Sequence, residues 1–274
     1  MSERVAVRKT YKLFIGGKFP RSESGRSYLV QDSNVSLASR KDARDAVVAA
    51  RAAVKGWAGA TAYNRGQILY RVAEMLEGRR EQFVALGVPA DEVDAAVDRW
   101  VWYAGWADKL PQVYGGANPV AGPYFNLSAP EPTGVVAVVA PEAPALLGLV
   151  SVIAPAIVTG NTVVVAASPA APLAAVTLAE VLATSDLPGG VVNLLTGRIT
   201  ETAPTLAAHL DVNAIDLAGV ADAELATDLE ARAAENLKRV LRPVPADHDW
   251  TGDPGLGRMT ALLETKTVWH PKGV

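Results

Sequence analysis

A chain of 274 residues, 50% hydrophobic and 20% charged with a formal net charge of −3, is long enough for one large or two modest folded domains. That charge gives nucleic acid or an anionic membrane no electrostatic footing. The absence of cysteine removes disulfides, thiolate-bound zinc and thiol nucleophiles from consideration. The basic opening MSERVAVRKTYKLF has no apolar run behind it and does not read as a signal peptide. The most apolar stretch, 140–156, is broken by Pro141, Glu142, Pro144 and Pro155, whereas a spanning helix needs roughly 20 apolar residues in a row. A cytoplasmic protein with no membrane and no nucleic-acid partner is expected.

In chain order, residues 12–30 read as a hairpin turning at Gly16 and Gly17, with a second short strand after Gly25. Ser39 followed by Asp42 is a capping box for a helix through 43–57, where Ala46, Ala49, Ala50, Ala53, Val54 and Trp57 recur at helical spacing. A second helix is expected over 63–78, with Ile68, Leu69, Val72, Met75 and Leu76 on one face. A third, over 91–109, opens with acids where the helix dipole favours them. Pro119, Pro123, Pro130 and Pro132 then punctuate an extended, hairpin-like stretch. From Gly134 strands are expected at 135–139, 162–166, 191–194, 214–217 and 237–241, with helices at 145–158, 172–183, 200–209 and 221–234. Near-continuous Val/Leu strands separated by helices predict a five-stranded parallel sheet covered on both faces. Residues 243–257 are dense in Pro, Gly and Asp and read as a loop, and 265–270 alternates like a strand that must find a sheet edge.

Four segments, ARDAVVAARAAVKGW, WYAGWADKL, PVAGPYFNLSAPEPTGVVAVVAP with the following IAPAIVTGNTVVV, and LPGGVVNLLTG, resemble the aldehyde dehydrogenase superfamily in wording and order, and the tail LLETKTV is similar to its oligomerisation strand. The resemblance implies an α/β chain: a five-stranded doubly wound, Rossmann-like sheet with N-terminal helices, a bridging β-hairpin and a C-terminal oligomerisation strand, the catalytic domain being absent. Residues 1–120 and 133–244 would form the helices and the Rossmann-like domain, 121–132 and 258–274 the bridging flap, and 245–257 a linker in place of the catalytic domain. Tyr124, Phe125, Leu127, Thr265, Thr267, Val268 and Trp269 are the expected oligomerisation residues, with the terminal strand adding to a neighbouring subunit's sheet.

The departures from the family pattern carry the functional expectation. The turn holding the family's oxyanion asparagine, Pro-Trp-Asn-Phe-Pro, here runs from Pro141 to Ala145 with Ala143 at the asparagine, and an alanine side chain donates nothing. The Lys-Pro-x-Glu ribose grip is replaced by a segment containing Ala166 and Pro169. The Phe-Thr-Gly-Ser turn that opens the helix under the pyrophosphate reads Leu217-Ala218-Gly219-Val220, and the general-base glutamate aligns with Pro243. The layout is most similar to the second, catalytic-domain-lacking unit of two-domain family-16 aldehyde dehydrogenases. The resemblance therefore implies a non-catalytic subunit with no cofactor, assembling with a full-length aldehyde dehydrogenase, with itself, or both. A nucleotide- or NAD-binding sensor module without chemistry is the alternative, and weak NAD(P) binding through backbone amides stays open with it.

Other chemistry-bearing residues have plainer readings. Gly160, Gly189, Gly190, Gly197 and Gly219 could cradle phosphate, but suit turns and helix caps. Trp100, Trp102, Tyr103 and Trp106 read as packing. Asp247, His248 and Asp249 lack a second cluster to complete a metal shell, and His209 and His270 end a helix and a strand. Glu142 reads as solvated, or as a contact for a partner protein.

Overall fold

The computed structural model describes residues 9–273; the basic opening, at residues 1–8, lies outside the described residues. The chain begins with β1 (Thr10–Tyr11), β2 (Ser27–Val30) and β3 (Ser33–Ser36). Between β1 and β2, Gly16 and Gly17 take φ of 61° and 78° in a two-residue turn closed by Ile15 and Lys18, whose backbones exchange hydrogen bonds of 2.9 and 3.0 Å. Both central residues at positive φ is the turn whose twist suits a hairpin. Five helices follow: α1 (Arg40–Gly59), α2 (Ala62–Glu77), α3 (Arg80–Val84), α4 (Ala90–Ala104) and α5 (Leu110–Tyr114). The expected capping box starts α1: the Ser39 hydroxyl accepts from the Asp42 amide, and the Asp42 carboxylate accepts from the Ser39 amide at 2.8 Å. The flap strands β4 (Gly116–Asn118) and β5 (Tyr124–Pro132) come next.

The alternating half then runs β6 (Val135–Val139), α6 (Leu147–Val158), β7 (Thr162–Ala166), α7 (Pro172–Leu182), β8 (Val192–Leu195), α8 (Ile199–Ala208), β9 (Ala214–Asp216), α9 (Ala223–Ala234) and β10 (Arg239–Leu241). Its strands form one parallel sheet in the order β10-β9-β6-β7-β8, the doubly wound topology expected. The order reverses between β6 and β9, which makes the crevice beyond their carboxyl ends the switch point. The central strands and α6 are buried along their whole length, as a sheet sandwiched by helices requires. Finally α10 (Gly257–Thr260) leads into β11 (Leu263–Pro271).

Three expectations need correction. The third helix stops at Ala104; Gly105 caps it, and the chain turns before α5. The strand expected at 237–241 starts at Arg239, because Leu237 sits exposed at φ 58° in the turn out of α9. The helix expected from 145 starts at Leu147, where the Glu92 carboxylate from α4 accepts from the Leu146 and Leu147 amides at 2.6 and 3.1 Å and caps α6 from outside. The terminal strand, expected to share a flap with residues 121–132, pairs antiparallel with β5 of its own chain, register Leu263–Pro132 to Pro271–Tyr124. Its other side is the edge of the β11-β5-β4 sheet.

Asn161, fully buried, ties this returning tail to the main domain: it accepts from the Gly134 amide at 2.7 Å and donates to the Leu262 carbonyl at 2.9 Å and the Thr159 hydroxyl at 2.7 Å. Asn161→Leu is expected to cost about 2–3 kcal/mol of unfolding free energy by leaving a buried donor and acceptor unpaired. Urea denaturation checks this; a loss below about 0.5 kcal/mol, the level of an ordinary surface change, would mean the tail is held otherwise.

Candidate functional site

Three turns frame the switch point. After β6, residues 141–145 place Glu142 and Ala143 in solvent, Glu142 without an ion pair among the described residues. After β7, Ala166 is buried and Pro169 exposed. After β9, Val220 is buried, and Gly219 packs so closely under β6 that a Cβ there would lie 1.9 Å from the Ala140 carbonyl oxygen. That glycine serves backbone packing. Gly160, Gly190 and Gly197 take φ of 96°, 93° and 129° as turn residues, and Pro243 follows β10 half-buried.

A doubly wound sheet of this kind presents a dinucleotide here, and the residues present do not fit one. A pyrophosphate needs the free amides and positive dipole of the helix start beneath it. The first turn of α9 is already capped by its own Asp222 carboxylate, which accepts from the Glu224 and Leu225 amides at 2.8 and 3.3 Å, and Glu224 adds a second negative charge. Neither Ala166 nor Pro169 offers a polar side-chain atom to a ribose.

What lies at the carboxyl end of β9 is the chain's own return segment. Asp216, fully buried, accepts from the Ala218 amide at 3.0 Å and pairs with the Arg258 guanidinium from α10. Burial pushes its carboxyl above the usual range, while Arg258 and the Ala218 amide oppose that shift. The Arg258 guanidinium also stands 5.4 Å from the centre of the Trp250 ring. Trp250 is only 6% exposed, so residues 245–257, expected as a plain linker, contribute a side chain to the core. The Arg99 guanidinium of α4 fixes this segment by donating to the Trp250 and Gly252 carbonyls at 2.6 and 2.9 Å. Beneath lie Tyr103 and Ser151, both buried. Burial pushes the Tyr103 phenol up to about 12, against the nearby charges of Arg99 and Arg258, so it keeps its proton at neutral pH.

The seven expected oligomerisation residues all fall on β5 and β11, and the register sorts them onto two faces. Tyr124, Thr265, Thr267 and Trp269 share one, where Tyr124 and Trp269 meet edge-to-face at 5.7 Å and Thr267 exchanges a 2.8 Å hydrogen bond with Ser128. Phe125, Leu127 and Val268 share the other. Tyr124, Phe125, Leu127 and Trp269 are all exposed.

The remaining candidates read as packing or capping. Trp100 and Tyr103 are core, and Trp102 and Trp106 lie half-buried against it. His248 meets Trp250 edge-to-face at 4.5 Å, and Asp249 accepts from the Thr251 amide and hydroxyl. His209 accepts from the Asp211 amide, and His270 is exposed on β11. No group of three potential metal ligands occurs among the described residues, and none of their helices is long and apolar enough to cross a membrane. Sequence reasoning missed Asp216, Arg258, Arg99 and Ser151. Only the first carried a signal, a lone acid inside an apolar strand.

The profile described as Aldehyde dehydrogenase family matches residues 31–244. Aldehyde dehydrogenase, cytosolic 1, of Elephantulus edwardii is 31% identical over 249 residues, 84% of this chain and 49% of its own. Retinal dehydrogenase 2 of Homo sapiens is 32% identical over 252 residues, 85% of this chain and 48% of its own. The solved NAD+ complex of an aldehyde dehydrogenase from Bacillus cereus superposes with a TM-score of 0.79 at 26% identity, over 85% of this chain and 50% of that one. The chain thus spans about half the length of these relatives.

The Asp216–Arg258 pair gives a pH-signed expectation. Arg258→Met leaves a buried carboxyl unpaired and should cost about 3 kcal/mol at neutral pH. A carboxyl whose folded pKa is raised stabilises only while protonated, so the deficit should deepen as pH rises above the ordinary carboxylate range near about 4. Denaturant unfolding across pH reads this; a deficit independent of pH would remove Asp216 as its cause.

Proposed function

This chain belongs to the aldehyde dehydrogenase family, and we propose that it is a non-catalytic member, a pseudoenzyme subunit that assembles with an active NAD(P)-dependent aldehyde dehydrogenase and stabilises or regulates it. The observation that carries the reading is the return segment at the switch point: the carboxyl end of β9, where an α/β sheet presents its ligand, is held by Arg258 under the buried Trp250. Three absences of chemistry point the same way. The sequence holds no thiol; the oxyanion position is Ala143, with no side-chain donor; the general-base position is Pro243, with no ionisable group.

Assembly rests on the flap. A nine-residue strand with one edge open, in a narrow sheet exposed on both faces and carrying Tyr124, Phe125, Leu127 and Trp269, is a template for strand addition by another chain. The partner that suits it is a full-length dehydrogenase with a flap of the same kind, and a second copy of this chain presents the same edge.

The purified chain is expected to oxidise no aldehyde with NAD or NADP, and to co-purify from its native cell with a full-length aldehyde dehydrogenase. Turnover free of contaminating enzyme would overturn the non-catalytic reading. Monomeric behaviour with no dehydrogenase captured would overturn the subunit reading. Phe125→Ser and Trp269→Ser, one on each face of the flap, should weaken that association roughly tenfold or more while moving unfolding stability by about 1 kcal/mol or less, since both side chains are exposed. Size-exclusion chromatography and thermal unfolding read the two effects separately.

A further inference from the structure

Between α4, α6 and the return segment lies a cavity of about 290 Å³, walled by Arg99, Tyr103, Ser151, Trp250 and Arg258. Arg99 and Tyr103 are four residues apart on α4 and so share one of its faces. Three features of this wall remain unbalanced within the chain. Arg99 is 7% exposed, yet no carboxylate among the described residues stands within ion-pair distance; only the Trp250 and Gly252 carbonyls meet its charge. A buried guanidinium without a counter-charge is costly. The Ser151 hydroxyl is buried with no hydrogen-bond partner, and the buried Tyr103 hydroxyl, beside the Arg99 guanidinium, has no acceptor for its proton; unpaired buried polar groups are uncommon enough to need a reason.

The acids around the cavity are already engaged. Asp216 is taken by Arg258 and the Ala218 amide, Asp249 by Thr251, and Asp253 by the Gly255 amide. Asp249 and Asp253 line the cavity and restrict the charge a ligand can carry: they repel a dianion such as phosphate more than a single negative charge, which Arg99 balances. A carboxylate has two oxygens with about four acceptor sites and suits a guanidinium fork plus two hydroxyl donors. The indole of Trp250 and the imidazole set edge-to-face against it leave an apolar side for a short hydrocarbon tail.

We propose that this cavity binds a small monocarboxylate, its carboxylate paired with Arg99 and accepting from the Tyr103 and Ser151 hydroxyls, its tail against Trp250. The site is built by the segment between β10 and β11 and is independent of the assembly proposed above.

The test is calorimetric titration and thermal unfolding of the whole purified chain with sodium acetate, propionate and butyrate, against sodium phosphate at matched ionic strength. Saturable binding of at least one carboxylate, with a rise in melting temperature and no equal rise with phosphate, is the expected result. The doubly substituted Tyr103→Phe, Ser151→Ala chain should melt close to wild type without ligand, because neither hydroxyl proton has an acceptor there, and should bind the carboxylate roughly tenfold more weakly or worse. Arg99→Met should abolish binding, and the double variant keeps the test readable should loss of the Arg99 bonds loosen the return segment. No saturable binding up to about 50 mM, far above the range where linkage would register, or unchanged affinity in the double variant, would overturn the proposal and leave the hydroxyls to bound water.

Discussion

The acid of Asp216 ends a strand inside a parallel sheet covered by helices, where an ionised carboxylate is buried away from water. It is tolerable only because Arg258, forty-two residues further on, comes back to meet it. That requirement dictates the path of the whole segment after β10. The chain must cross the carboxyl end of the sheet, bury Trp250, start α10 at Gly257 to aim Arg258 inward, and place Met259 and Leu262 in the core before it leaves as β11. A single pair of this kind adds little net stability, since desolvation offsets most of the attraction. Its effect is specific: a segment rich in Pro, Gly and Asp is given one position, and that position lies over the crevice the fold would otherwise present.

The flap depends on the same return. Leu262 accepts from the Thr133 amide at 3.2 Å, and Arg239 grips Glu264 through two bonds of 2.8 and 2.7 Å, so β11 enters beside β5 with its register set at the root. At the base of the flap, Gly115 packs where a Cβ would stand 2.5 Å from the Pro111 carbonyl oxygen, which fixes how β4 leaves α5. Beyond these anchors the strands carry their apolar side chains into solvent on both faces. A narrow sheet of that kind is marginal alone, whereas its backbone edge and its aromatic side chains are well suited to a second chain. The part of the protein that would recognise a partner is therefore held by the part that closes the crevice.

Local chemistry made much of this legible in the sequence. Gly16 and Gly17, the Ser39–Asp42 box and the Val-rich strands each declare themselves within a few residues, and the strand order follows from alternation and handedness. What escaped depends on long-range partners. The start of α6 is set by Glu92, more than fifty residues earlier, and nothing near Leu147 announces it. Residues 245–257 have a loop's composition, and the burial of Trp250 follows only from Arg99, 151 positions away. The terminal strand's pattern demands an edge, its own chain's or a neighbour's; the sequence leaves open whose, and β5 of the same chain supplies one. At the candidate site, family likeness pointed to positions where chemistry has gone, such as Ala143 and Pro243, but could not point to Arg99, Tyr103 and Ser151, which share no motif.

The geometry also accounts for how short the connection between β10 and β11 can be. The strand that ends the sheet and the strand that ends the chain meet at Arg239 and Glu264, so the ends of the connection between them are already neighbours. Loop-closure entropy grows only with the logarithm of length, so a connection of this size closes readily across so small a gap. It covers the carboxyl end of the sheet with the few side chains it has, Trp250 and Arg258. The family match stops at residue 244, immediately before the segment that supplies them.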